Sequence, residues 1–407
     1  MSTPQAAPET PTGTFHLAPG FRAAATACGL KPSGNPDLGF VWSDAPCAAA
    51  GMFTTNRVQA APVTVCRETL AGAAARVRGV LFNSGCANAV TGERGLADAR
   101  RMRALGAHAI GAREDEVLVL STGVIGRFLD LAKIERGVGS LAIASADAMG
   151  DAVARAILTT DTRPKVAHAQ GPGSIRIAGF AKGAGMIHPH MATMLAVVTT
   201  DAKIDPPALD RSLRAAVERS FNRISVDGDM STNDTVLLLA SGTAPVTIGA
   251  GSDEAAFTAA LTDVCASLAR QIARDGEGAT RLVELRITGG ASERQAHRVG
   301  DAIACSPLVK TAIHGNDPNW GRILAAAGYS GEAIEPERVR LWFGGRDDVQ
   351  LLERGLPVEF DAGRASALLR EDPAIVHLDL GLGKEQATLW TCDLSAEYVR
   401  VNADYTT

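Results

Sequence analysis

The sequence predicts a layered α/β protein built as one body, and three observations carry that prediction. Short apolar runs of strand length alternate with helical stretches along almost the whole chain. Long helical patterns lie between those runs, which an all-β sandwich does not have. No low-complexity linker divides the 407 residues, of which 46% are hydrophobic and 21% charged. Length alone allows two or three domains or one large α/β body. The unbroken pattern favours the second, and the apolar content excludes a disordered chain.

Taken in order, residues 1–13 are rich in Pro, Thr and Ala and read as a flexible tail. RGVLFNSG (78–85) and EVLVLSTGVIG (116–126) read as strands ending in glycine loops. The stretch 92–112 between them reads as an amphipathic helix. A further helix is predicted from about Ile143 to Leu158, followed by the turn-like TTDTRPK (159–165). SIRIAGFAKGAG (174–185) and TMLAVVTTDA (193–202) are strand candidates on either side of the irregular MIHPHMA. PPALDRSLRAAVERSF is a helix with Pro in its first turn. TVLLLASG is a buried strand, and the stretch 253–278 is a long helix stopped by glycine. RLVELRITG, VRLWFGG, AIVHLDLGLG and ATLWTCDL complete the set of strands.

Charge and cysteine usage narrow the classes of function. A formal charge of −5 argues against nucleic acid as the main partner, because a basic face is needed to neutralise phosphates. No run approaches the roughly 18 apolar residues of a membrane span. Seven cysteines form no C-x-x-C pair and suggest neither a zinc site nor a disulfide framework. The N-terminus has no basic or apolar signal region, so a reduced cytoplasm is expected.

Single motifs do not reach a function. STGVIG, KGAGM and DGEGA could each hold an anion, yet none has P-loop or dinucleotide spacing, and each alone reads as a tight turn. SVDGDMSTND offers Asp227, Asp229, Ser231, Asn233 and Asp234. It fails as a calcium loop, because Thr232 stands where Gly is needed and Leu238 where Glu is needed. A polar turn, or one lining a pocket, is the remaining reading. His188 and His190 would face one way in an extended segment, but no third metal ligand is near in sequence, so no metal is expected. His314 precedes a turn and its partners cannot be deduced. Thr193 alone is simply a β-former.

Together the motifs say more. KGAGMIHPHMATML, SFNRISVDGDMSTNDTVLLLASG, DGEGATRLVE, SPLVKTAIHGNDPNWGRILAAAGYSG and the terminal YVRVNADYTT resemble glutamate N-acetyltransferase, the ornithine acetyltransferase family of arginine biosynthesis. NSGCANA, STGVIG and TTDTRPK extend the resemblance, in the same order, over nearly everything beyond the tail.

That resemblance implies a layered α/β sandwich of the self-processing N-terminal-nucleophile type, with two entwined lobes and no cofactor. It implies cleavage between Ala192 and Thr193 into an α chain ending at residue 192 and a β chain of residues 193–407, assembled as α2β2. Thr193 is then the nucleophile, and its freed α-amine the base. Such an amine has an ordinary pKa of roughly 7.7–8.0, suited to that task near neutral pH. Thr122 and Gly123 would form the oxyanion hole. Substrate contacts carry over to Thr159, Lys182, Thr193, Glu277, Asn402 and Thr407. The implied reaction moves acetyl from N-acetylornithine to glutamate in ping-pong fashion, with acetyl-CoA as a further candidate donor.

Two departures from the family pattern stand out. His188 and His190 replace residues more often Ala and small polar, and Met230 stands where Thr is usual. Competing readings are a sibling acetyltransferase of secondary metabolism, an N-terminal-nucleophile amidase or aminopeptidase, and a non-catalytic binding protein for an anionic ligand.

Overall fold

The computed structural model describes residues 14–188 and 194–404. The tail expected over residues 1–13 lies outside them. Among the described residues the strands form two sheets. The first contains β1 (Arg22–Thr26), β2 (Leu38–Phe53), β3 (Val77–Cys86), β4 (Val117–Val124), β5 (Lys165–Gln170), β6 (Arg176–Lys182), β7 (Leu195–Thr200) and β8 (Thr235–Ala240). Its order is β4-β3-β2-β8-β7-β6-β5, with β1 paired to β2. The pairs β3/β4 and β7/β8 are parallel and the other neighbours antiparallel.

The apolar runs of β7 and β8 follow from burial on both faces. Ala196, Val198, Val236 and Leu238 point into one core. Leu195, Val197, Leu237 and Leu239 point into the other. The first core is closed by the helices Pro206–Glu218 and Ser252–Arg274 through Leu209, Leu213, Phe257 and Leu261. Each such fully buried side chain contributes about 1.5–3 kcal/mol. The second core is closed by Phe15, Leu17, Phe21 and the helix Ala61–Ala73. Helices therefore sandwich the sheet, and the architecture is the layered α/β one expected.

The second sheet contains β9 (Leu282–Gly290), β10 (Arg340–Phe343), β11 (Val349–Glu353), β12 (Leu356–Pro357), β13 (Ala374–Asp379) and β14 (Glu385–Cys392), in the order β12-β11-β10-β13-β9-β14. It has its own core with the helices Glu293–Ala304, Pro307–His314 and Trp320–Gly328. Trp390 and Cys392 of β14 belong instead to the first sheet's core, which joins the two lobes.

Two sequence expectations need correction. The helix predicted over Ile143–Leu158 is only a 3-10 turn at Ile143–Ser145 and a short helix at Asp151–Ala156. The intervening backbone bonds elsewhere: Leu17 N–H donates to Ala148 O at 2.8 Å and Ala23 N–H to Asp147 O at 2.8 Å. Tertiary pairing thus overrides helical periodicity. The longest strand, β2, was not anticipated. Its pairing with β3 slips between Trp42 and Cys47, where Pro46 sits. Proline is tolerated in a sheet at such an irregularity, and it hides the strand from pattern reading.

Candidate active site

Ala192 and Thr193, with His190, lie outside the described residues, as does Thr407. Met194, the next described residue, is firmly held. Its N–H donates to Asp234 Oδ1 at 3.1 Å, and its carbonyl accepts from Thr235 N–H at 3.1 Å. Asp234 is fully buried, and its carbonyl accepts from Thr54 N–H at 2.9 Å. Burial pushes its carboxyl well above the usual range, against the pull of the Met194 N–H and the Lys182 ammonium. Across the β6/β7 hairpin, Lys182 is the register partner of Leu195.

The neighbouring Asn233 ties the approach to β8 to the last residues of β4, where the sequence predicts a glycine loop. Its side-chain amide donates to Ser121 O at 2.8 Å and to Ala87 O at 2.7 Å. Ser121 Oγ in turn donates to Asn83 Oδ1 at 2.7 Å. Thr122 is buried opposite Ser84, and Gly123 opposite Gly85, in the parallel β3/β4 ladder. Gly123 has φ +127°, and a Cβ there would lie 2.4 Å from the carbonyl carbon of Gly85. Only glycine fits this close approach of two backbones.

Lys182 heads a buried charge network. Asp161 Oδ1 accepts from Gly183 N–H at 2.6 Å and from Lys165, while its Oδ2 accepts from Thr159 N–H at 3.0 Å. Burial works to raise the Asp161 carboxyl, but the Lys165 and Lys182 ammonium groups prevail and hold it well below the usual range. Burial also lowers the Lys182 ammonium, opposed by Asp161, Asp234 and Glu277. Lys165 bonds Asp275 as well, and Asp275 Oδ2 accepts from Thr162 N–H at 3.0 Å. The loop carrying Thr159 is thereby fastened to the loop carrying Glu277.

Glu277 N–H donates to Ala184 O at 2.8 Å, and its Oε2 accepts from the Asn402 side-chain amide at 2.9 Å. Gly185 provides the room, since a Cβ there would sit 2.4 Å from Glu277 Oε2. The structure therefore groups Thr159, Lys182, Glu277 and Asn402 through direct bonds and shared loops. Thr122 and Gly123 join this group through Asn233 and Asp234. A cleft of about 380 Å³ opens beside Glu277, lined also by Thr162, Asp275, Gly278 and Glu397. Larger concavities near Arg211 and Arg286 contain none of the site residues expected from the sequence.

Lys31 and Asp37 were not anticipated. Asp37 is fully buried, and its carboxylate accepts the N–H groups of Cys28, Gly29, Leu30 and Lys31 at 2.6–3.1 Å. This wraps the loop LKPSGNPD around one carboxylate and lays Lys31 over Gly85, beside Gly123. Burial brings the Lys31 ammonium down to about 8; Asp37 and Asp161 oppose the shift and Lys182 adds to it. The loop's Gly, Pro and Asn content marks a turn, but nothing local shows what the turn presents.

A family model described as the ArgJ family matches residues 22–407. The chain belongs to the ArgJ family. It is thus one of the acetyltransferases of arginine biosynthesis that its motifs resemble. The arginine biosynthesis bifunctional protein ArgJ of Geobacter sulfurreducens is 49% identical over 395 residues, covering 95% of this chain and 99% of that protein. Among solved structures, the ArgJ of Bacillus halodurans is 45% identical, with a TM-score of 0.49, covering 51% of this chain and 98% of that one. The ornithine acetyltransferase of Mycobacterium tuberculosis, solved with ornithine, is 39% identical, with a TM-score of 0.41, covering 43% and 94%. Among the described residues no helix is long and apolar enough to cross a membrane.

Proposed function

We propose that this ArgJ-family chain cleaves itself between Ala192 and Thr193 and then transfers acetyl from N-acetylornithine to glutamate. In the precursor, Thr193 Oγ attacks the Ala192 carbonyl carbon and the peptide bond becomes an ester. Water opens the ester, freeing the Ala192 carboxylate and the Thr193 α-amine. The products are residues 1–192 and 193–407, which remain together and assemble as α2β2 in the cytoplasm. In the mature enzyme the α-amine takes the hydroxyl proton as Oγ attacks the acetyl carbonyl. Ornithine leaves with that proton on its amine, and the acetyl group remains on Thr193. The glutamate amine then attacks this ester and restores the hydroxyl. Acetyl-CoA serves as a second donor in this reading, in keeping with the bifunctional name of the curated relatives.

The observation that carries the proposal is the anchoring around Met194. A buried carboxyl holds the residue after Thr193, and the adjacent Asn233 ties the same loop to Ser121, next to Thr122 and Gly123. Those two residues supply a hydroxyl and a backbone N–H for the tetrahedral oxyanion of both steps. Lys182 pairs with a substrate carboxylate, while Glu277, oriented by Asn402, receives the amino end of ornithine. Thr159 and Thr407 complete the substrate contacts.

Denaturing mass analysis combined with a transfer assay tests this. Two fragments are expected, the second beginning at Thr193, with ornithine released in a burst. Thr193→Ala should stay at full length and transfer nothing. An intact chain that still transfers acetyl would overturn the covalent reading, and acetyl passing to water at an unchanged rate without glutamate would favour an amidase.

A further inference from the structure

His188, Asp301 and Cys305 take no part in the proposed acetyl transfer, yet their donor atoms lie 3.3–4.0 Å from one another. Asp301 and Cys305 are four residues apart at the end of the helix Glu293–Ala304, a spacing that puts both on one face. His188 arrives from the segment that follows β6 and is positioned by Asp227. That carboxylate accepts Met186 N–H at 2.6 Å and Ile187 N–H at 2.8 Å. His188 Nδ1 then lies 3.3 Å from Cys305 Sγ and 4.0 Å from Asp301 Oδ1, with Sγ and Oδ1 3.7 Å apart. Ser225 Oγ stands over the same gap, 3.5 Å from Nδ1 and 3.4 Å from Sγ.

We propose that His188, Asp301 and Cys305 form a metal site for a zinc-class divalent ion, with Ser225 or a water it holds at the fourth corner. Thiolate, imidazole and carboxylate are the donor set of such ions. The equidistant point in the plane of the three donor atoms lies about 2.1 Å from each, and a small shift out of that plane toward Ser225 keeps the ion within the roughly 2.0–2.3 Å of zinc bonds to O, N and S. A Cys–His nucleophile pair is the other arrangement these residues suggest. In that case the acid would hold the ring nitrogen remote from sulfur, whereas here thiol and carboxylate face the same Nδ1.

The ligands straddle the Ala192–Thr193 bond, with His188 before it and Asp301 and Cys305 after it. If the cleavage reading holds, the ion ties the two fragments together; the site itself does not depend on cleavage.

The test is titration of the chelator-treated full-length protein with Co²⁺, followed by displacement with Zn²⁺. A sulfur-to-cobalt charge-transfer band saturating at one ion per chain is expected, lost on addition of Zn²⁺. Cys305→Ser should abolish the band. His188→Ala and Asp301→Asn should weaken binding by at least the roughly 10–100-fold that changes around a metal site cost. Circular dichroism of each variant establishes that it is folded. No band from the folded native chain, or a band that survives Cys305→Ser, would overturn the site.

Discussion

Replacing Gly123 by alanine tests the arrangement of the paired ends of β3 and β4 most directly. The added Cβ would sit 2.4 Å from Gly85 C, 2.6 Å from Cys86 N and 2.7 Å from Gly85 Cα. Non-bonded carbons settle at about 3.5–4.0 Å, so the ends of β3 and β4 must part by about 1 Å. Holding alanine at φ +127° costs about 1–3 kcal/mol in addition. A shift of that size removes the Gly123 N–H from the position where it would meet the oxyanion. Loss of one such donor lowers turnover by about 10²–10³. The assay is ornithine release from N-acetylornithine in the presence of glutamate, with thermal unfolding measured in parallel. Gly72→Ala is the control: it lies in the helix Ala61–Ala73 with nothing within 4 Å of its Cβ, and should stabilise by about 0.5–1 kcal/mol. Native turnover and native Tm in Gly123→Ala would refute both the packing argument and the oxyanion assignment.

Other outcomes follow from the same geometry. Gly185→Ala should push the Glu277 carboxylate off Asn402 and weaken ornithine binding more than glutamate binding, which calorimetric titration of each ligand reads out. Asp234→Ala removes the acceptor for the buried Met194 N–H; it should cost about 1–3 kcal/mol and slow formation of the second fragment, followed by mass analysis over time. Lys31 is charged below pH about 8 and neutral above it. Its Nζ donates to Pro36 O at 2.9 Å and Ala156 O at 3.3 Å, and if its charge also draws in a substrate carboxylate, KM for the carboxylate substrates should rise as pH passes from 7 to 9. Lys31→Gln should show the high value throughout, and identical pH profiles for the two proteins would remove Lys31 from the site.

Much of the fold was legible because burial on both faces writes itself into composition. TVLLLASG and the run after Thr193 read as strands from their unbroken apolar character. The long helix Ser252–Arg274 was likewise visible from its periodicity and glycine stop. β2 was not, because alanine and Pro46 dilute the pattern of a strand whose neighbours do the covering. The helix expected from Ile143 failed because its backbone pairs with residues more than 120 positions earlier, and no local window holds that information.

By itself the sequence determined the layered α/β class and the family. These are properties of local pattern and of long motifs in fixed order. Only the tertiary structure decided that Asp234 grips Met194, that Asn233 bridges to the end of β4, and that Asp37 folds Lys31 over Gly85. It also brought His188 beside Asp301 and Cys305, a grouping that no local window of sequence contains. Asp301 and Cys305 are more than a hundred residues away along the chain and under 4.1 Å away in space. Hydrogen bonds and metal-binding geometry depend on distances of about 3 Å, and chain separation does not encode such distances until two sheets and their helices have closed around a common core.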